Sequence, residues 1–157
     1  QARRQLERLI EDEGMQDMIS ISEWMPRNEV INCFSNADVF LFPSHEGAGM
    51  VVAEALSYGM PVVCLDNFGP GEYIHPQSAC KVAEGSYIKT VMNLSDKLSL
   101  LYSNDLKYQE ESGLALERYE ELFQWNQKGE VFRKVYNNIA HTPFSPVIIN
   151  PVLKLTR

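Results

Sequence analysis

Basic side chains are in short supply in this 157-residue chain: 14 Lys and Arg stand against 21 Asp and Glu, a formal net charge of −7. At a pI near 5.0 its surface repels a phosphate backbone on average, so nucleic acid is not an expected partner. No stretch approaches the ~18 consecutive apolar residues of a transmembrane helix. The opening Gln1-Ala2-Arg3-Arg4-Gln5-Leu6-Glu7-Arg8 is basic with no apolar run behind it, so it is not a secretory signal. It carries no initiator Met and enters directly into a helix, which reads as the beginning of a fragment. The three cysteines, Cys33, Cys64 and Cys80, are isolated, form no CxxC pair and have no His beside them. They are expected to be reduced packing residues of a cytoplasmic protein rather than a disulfide framework or, with His45, His75 and His141, a metal site. There is no Asp-x-Asp pair, no internal repeat and no low-complexity segment.

What is present is ordinary for one globular domain: 45% apolar and 22% charged residues. Residues 1–13 predict a helix with Leu6, Leu9 and Ile10 as its stripe and Gly14 as its stop. Met18 to Ser22 predicts a short strand, Arg27 to Phe34 a helix with Val30, Ile31 and Phe34 inward, and Val39-Phe40-Leu41-Phe42 a buried strand. Val62-Val63-Cys64-Leu65 is the next buried strand, followed by loop chemistry in Asp66-Asn67-Phe68-Gly69-Pro70-Gly71. Residues 79–82 predict a weaker strand. Helices follow over 86–102 and 104–123, where Gly113 is a local weakness and Glu110, Glu111, Glu117, Glu120 and Glu121 read as a solvated face. Residues 126–140 predict a last helix, with Val131, Val135 and Ile139 on one face. One domain is therefore expected over 1–140 and an irregular, proline-broken tail over 141–157. Strands alternating with helices at this pitch predict an α/β fold: a parallel sheet with helices on both faces. In such a sheet ligands sit outside the carboxyl ends of the strands.

The most informative stretch is Phe42-Pro43-Ser44-His45-Glu46-Gly47-Ala48-Gly49-Met50-Val51-Val52-Ala53-Glu54-Ala55-Leu56. It reads as a strand end, a small-residue turn, and a helix that stops at Gly59 with Pro61 beyond. Such a turn aims the unpaired N–H groups and the positive end of the helix at whatever lies above the strand, most often a phosphate. Glu54 is the only charged residue between Ala48 and Gly59. Val51, Val52, Ala55 and Leu56 share the face that packs on a sheet, while Met50, Glu54 and Tyr58 share another. Glu46 and Glu54 stand at most roughly 12 Å apart at a helical rise of ~1.5 Å per residue. That span suits a ligand with a polar group at each end and an anionic middle. The same spacing also fits a purely structural turn, with Glu54 meeting an Arg.

Glu46-x7-Glu54 behind Pro43-Ser44, with Glu54-Ala55-Leu56-Ser57-Tyr58-Gly59-Met60-Pro61-Val62-Val63, resembles the Glu-x7-Glu segment of retaining GT-B glycosyltransferases of the group 1 type. Asn36-Ala37-Asp38-Val39 upstream and Gly69-Pro70-Gly71-Glu72 downstream fit the same pattern in order, and the resemblance covers about residues 1–139. It implies the C-terminal, donor-binding half of a GT-B enzyme: a Rossmann-like sheet, truncated at its N-terminal end. By that resemblance Glu46 is the catalytic-side acid at the donor sugar and Glu54 binds the ribose hydroxyls. The backbone of Gly47, Ala48, Gly49, Met50 and Val51 holds the diphosphate, and Trp24 and Met25 line the base pocket, although a Trp in that position also serves as core. His45, Asp66 and Glu72 stand at the same rim with either ligand-side or structural parts to play. The donor substrate would be a nucleotide-diphosphate sugar, with no cofactor and no metal. The acceptor, a glycan or lipid, would be bound through the N-terminal domain that these residues do not include. The Arg and Lys that normally neutralise the diphosphate lie upstream in the family, and Arg3, Arg4, Arg8 and Arg27 do not match them. A hexosyltransferase of this kind works in the cytoplasm, free or peripheral to the membrane. The fragment alone would be inactive and prone to self-association through its incomplete sheet edge. A nucleotide-sugar 2-epimerase and a non-catalytic GT-B-like subunit share the fold and are the alternative readings.

Overall fold

The computed structural model describes residues 2–45, 47 and 49–141; the expected irregular tail lies outside these residues from position 142 onward. Two compact units form, residues 1–37 and 38–157.

The first unit holds helices α1 (Ala2–Asp12) and α2 (Arg27–Asn36). α1 ends where expected: Gly14 N–H bonds the Glu11 carbonyl at 3.1 Å and Met15 N–H the Ile10 carbonyl at 2.9 Å, the paired closure of a Schellman turn. Arg3 joins Glu7 one turn on at 2.7 Å and also pairs with Glu23. Ile10 is buried, but Leu6 and Leu9 of the expected stripe are exposed. The strand expected at residues 18–22 does not form. Met18 and Ile19 both give their N–H to the Met15 carbonyl in a local turn, and a strand cannot exist without a ladder to a neighbour. On α2, Phe34 is buried as expected. Cys33 is exposed, which corrects its reading as a packing residue.

The second unit is built on a parallel sheet of order β1-β2-β3, with β1 Phe40–Phe42, β2 Val62–Leu65 and β3 Lys81–Val82. The register sets Phe40, Leu41 and Phe42 against Val62, Val63 and Cys64, and Cys64 and Leu65 against Lys81 and Val82. All four β2 residues are buried, as an uncharged, β-branched central strand requires. β1 is less buried than expected, with Leu41 43% exposed, because it pairs on one side only among the described residues. β3 is shorter than expected because the preceding N–H groups are taken. Ala79 N–H bonds a Glu111 carboxylate oxygen and Cys80 N–H the Ser78 hydroxyl.

Five helices belong to this unit: α3 (Met50–Ser57), α4 (Pro70–Tyr73), α5 (Tyr87–Ser103), α6 (Asp105–Leu122) and α7 (Trp125–His141). Alternation along the strands sends Val63 and Leu65, with Val82 and Cys80, onto Leu94 and Leu101 of α5. Val62, on the other face, lines a small cavity together with Leu56 of α3 and Ala115 of α6. Helices thus cover both faces. Ile88 and Val91 of α5 are exposed, since the packed cluster spans only Leu94 to Leu101 of that helix. α6 is capped by Asn104, whose side chain accepts from Lys107 N–H at 3.0 Å, and runs through Gly113 unbroken. Along α7, Val131, Phe132, Val135, Tyr136 and Ile139 are all exposed. Among the described residues no helix is long and apolar enough to cross a membrane.

Glu111 departs furthest from expectation. It is 2% exposed, and its carboxylate accepts from the Ser78 hydroxyl at 2.5 Å, Ala79 N–H at 2.9 Å and Lys107 Nζ at 3.0 Å. Burial pushes this carboxyl up, but the Ser78, Ala79 and Lys107 donors together outweigh it and hold the group below its ordinary value. Nearby, burial drives the Cys64 thiol up to about 11 and the Cys80 thiol up to about 12, so both stay protonated packing groups.

A depressed carboxyl stabilises the fold above the unfolded-state pKa of ~4.3 and loses that contribution as pH falls through its folded value. Glu111→Ala in the full-length protein should therefore cost about 2–4 kcal/mol at pH 7. The difference from wild type should shrink as pH falls below 4, read by hydrogen exchange at the amides of residues 79–82.

Candidate functional site

The turn between β1 and α3 is shaped by one glycine. Gly49 is the α3 N-cap with φ 41° and ψ 30°, in the left-handed region, which costs a residue with a Cβ roughly 1–2 kcal/mol. A Cβ there would also lie 3.1 Å from Tyr73 Cε2, so the backbone passes close to that edge of the Tyr73 ring. That ring stands edge-on to Phe123, with centroids 5.3 Å apart. Beyond the cap, Val52 N–H closes onto the Gly49 carbonyl at 2.8 Å, and the N-cap, being glycine, brings no side chain of its own to cap this end. The first-turn amides of Met50 and Val51 therefore carry the positive end of the helix without a side-chain acceptor of their own.

Behind that end α3 presents the two faces expected of it. Val52, Ala53, Ala55 and Leu56 are buried, with Val51 only half-buried and Ala53 sharing the inward face. Met50 and Tyr58 are 62% and 46% exposed, and Glu54 lies between them on the same stripe, half-buried. Glu54 is thus held on the helix that supplies the open amides, one turn from its start. Gly47 is exposed at the bend before the cap. Glu46 and Ala48 lie outside the described residues. Trp24 and Met25 belong to the first unit; Trp24 is 86% exposed, which removes its alternative reading as core, and Met25 is half-buried.

The loop after β2 lies alongside. Gly71 in α4 seats that short helix on the strand end, since a Cβ there would meet the Leu65 carbonyl oxygen at 3.0 Å and Asp66 Cα at 3.1 Å. Asp66 faces Lys81 Nζ at 4.0 Å, and neither Asp66 nor Glu72 caps α4, whose N-cap is Gly69 with no side-chain bond. Arg118 donates to the carbonyls of Glu72 at 2.8 Å and Tyr73 at 3.2 Å. An open cavity of about 480 Å³ adjoins this loop, lined by Asp66, Phe68, Glu72, Lys81 and Arg118 among others. Asn67 Nδ2 reaches back to the β1–α3 turn, 3.3 Å from the Ser44 carbonyl and 3.3 Å from His45 Nδ1.

Sequence reasoning passed over Asn67, Tyr73 and Arg118. Asn67 was covered only by general loop chemistry, and nothing local marks Tyr73 as the floor beneath Gly49. One His–Glu cluster elsewhere has metal-ligand spacing: His75, Glu117 and Glu121 bring their ligand atoms within 4.8 Å of one another. His75 Nδ1 accepts Gln77 N–H at 3.2 Å, which places the ring hydrogen of the neutral imidazole on Nε2. The atom facing Glu117 then offers a hydrogen rather than a lone pair, an ill fit for a cation.

The family described as glycosyl transferases group 1 matches residues 1–114. D-inositol 3-phosphate glycosyltransferase of Paenarthrobacter aurescens (strain TC1) is 27% identical over 132 residues, covering 83% of this chain and 31% of that protein. The amylovoran biosynthesis glycosyltransferase AmsK of Erwinia amylovora is 32% identical over 89 residues, 52% of this chain and 22% of its own length. The chain thus spans less than a third of the curated relatives it matches. Among solved structures, a mutant of S. aureus TarM in complex with Fondaparinux, alpha-GlcNAc-glycerol and UDP superposes with a TM-score of 0.68 at 21% identity over 90% of this chain and 27% of that one.

Gly49→Ala should lower the unfolding free energy by about 1–2 kcal/mol from the left-handed backbone alone, measured by urea denaturation. Shortening Tyr73 in the same chain should relieve the ring clash and leave that backbone cost.

Proposed function

This chain belongs to the glycosyl transferase group 1 family, and we propose that it is the donor-binding part of a retaining hexosyltransferase acting from a nucleotide-diphosphate sugar. The observation that supports the reading is the glycine-capped start of α3, with left-handed Gly49 after a strand of a parallel sheet and Glu54 one turn behind. In this reading the amides of Gly49, Met50 and Val51 take the diphosphate, whose negative charge grows as the sugar–phosphate bond breaks and the diphosphate leaves with the bonding pair. Donors fixed before that charge develops need no reorganisation when it appears. Glu54 accepts the two ribose hydroxyls, a role suited to a carboxylate. Glu46, eight residues earlier, acts on the sugar side of the same turn, with Gly47 and Ala48 completing it. Trp24 and Met25 supply the base pocket, consistent with an exposed Trp24 ring.

The rim's own cations are committed elsewhere: Lys81 faces Asp66, and Arg118 holds the Glu72 and Tyr73 carbonyls. Neutralisation of the diphosphate is accordingly assigned to an Arg and a Lys from another part of the protein. The acceptor, a glycan or lipid, is assigned to a separate domain. Polysaccharide biosynthesis is the setting named for the AmsK relative and is proposed here by analogy. The enzyme is placed in the cytoplasm, free or at the membrane surface, and these residues alone are expected to be inactive.

Titration calorimetry of the full-length protein should show binding of UDP or GDP, and Glu46→Gln should keep that binding while lowering turnover roughly 10²-fold or more. Absence of binding to both nucleotides would favour an interaction subunit, and undiminished turnover in the variant would remove Glu46 from the chemistry.

A further inference from the structure

Among the described residues, one side chain reaches both Ser44 and His45 at the start of the turn that carries the proposed site. Asn67 stands in the loop after β2, and its Nδ2 lies 3.3 Å from both the Ser44 carbonyl oxygen and His45 Nδ1. A carbonyl oxygen can only accept, so the Ser44 contact fixes which way the amide faces. In that orientation Asn67 Oδ1 is buried and has no hydrogen-bond partner among the described residues. Buried acceptors are nearly always paired. Here the amide turns its nitrogen to the β1–α3 turn at the expense of its own oxygen.

His45 Nδ1 has a second neighbour, Glu84 Oε1 at 3.5 Å in the loop after β3. It can accept from Asn67 only when bare and can bond Glu84 only when it carries a hydrogen, so the two contacts alternate on one atom. Side chains from the loops after all three strands therefore meet at His45. The far end of the same turn is supported separately, by the Tyr73 ring under Gly49. Ser44 and His45 directly precede Glu46 in the chain, whereas Gly49 opens the helix assigned to the diphosphate. The two supports thus act on the sugar side and the phosphate side respectively.

We propose that Asn67 is a positioning residue for the transfer step: by holding Ser44 and His45 from the neighbouring loop it sets the sugar-side half of the turn. It does so without contributing to the grip on the nucleotide. This rests on the donor-site reading above. Asn67→Asp keeps the shape, removes both donors and sets a carboxylate against the Ser44 carbonyl; Asn67→Ala removes the side chain without adding charge.

The test measures, in full-length protein, the dissociation constants of UDP and GDP and the rate at which either nucleotide is released from UDP-glucose, UDP-galactose or GDP-mannose. Both variants should lose at least 30-fold in release rate and keep nucleoside diphosphate affinity within threefold of wild type. A merely structural role predicts parallel losses in affinity and rate, and that result, or an unchanged rate, would overturn the positioning role while leaving the donor site standing. Should the Asp variant not fold, the Ala variant decides by the same pair of readings. Wild-type protein that binds neither nucleotide, or releases none from these donors, would remove the donor-site reading and this proposal with it.

Discussion

The first amides of a helix have no partner within it, and at α3 this vacancy is left open toward the rim. The N-cap is a glycine and has no side chain with which to cap the helix. The chain arrives through Gly49 in a left-handed conformation that brings its backbone close to one edge of the Tyr73 ring. A capping Ser or Asp would stabilise the helix by about 1 kcal/mol but would fill the position an anion needs. The positive helix end favours an anion by about 0.3–1 kcal/mol at an exposed site and up to ~2 where partly buried. That is too little to bind a nucleotide alone, so the turn has meaning only with further groups around it.

The frame that holds this turn comes largely from α6. Ser112 Oγ donates to the Gly59 carbonyl at 2.6 Å, just past the end of α3. Glu111 gathers Ser78 and Ala79 ahead of β3, and Arg118 fastens α4 through the Glu72 and Tyr73 carbonyls. Each bond ends on main chain or a loop hydroxyl next to a strand or helix terminus, where backbone groups would otherwise be unsatisfied. Beyond α6, Phe123 meets the Tyr73 ring edge-on and Tyr119 stacks on Phe123. A line of aromatic contact therefore runs from Tyr119 through Phe123 and Tyr73 to Gly49.

Much of this was legible in the sequence where a local rule decides the outcome. Gly14 and Gly59 end their helices, the uncharged Val62-Val63-Cys64-Leu65 run is the central strand, and the small-residue turn opens onto a helix with Glu54 on its exposed stripe. Expectation failed where a distant partner decides. The run at 18–22 has strand-like alternation, yet its N–H groups close a turn on Met15. Glu111 looks like one more acid in an acidic helix. Its position four residues before Ala115, on the inward face, was the available sign, but it takes Ser78 and Ala79, more than thirty residues earlier, together with Lys107 to make a buried carboxylate tolerable. Asn67 and Tyr73 belong to the same class, since their roles depend on loops brought together by the sheet.

The central claim is that the open amides at the start of α3 receive a diphosphate while Glu54, one turn on, receives the pentose. Hydrogen exchange of the full-length protein with and without saturating UDP or GDP tests it at the residues concerned. Slowed exchange centred on residues 49–52 is the predicted result. Protection confined to other parts of the protein, with these amides exchanging at the unliganded rate, would contradict it.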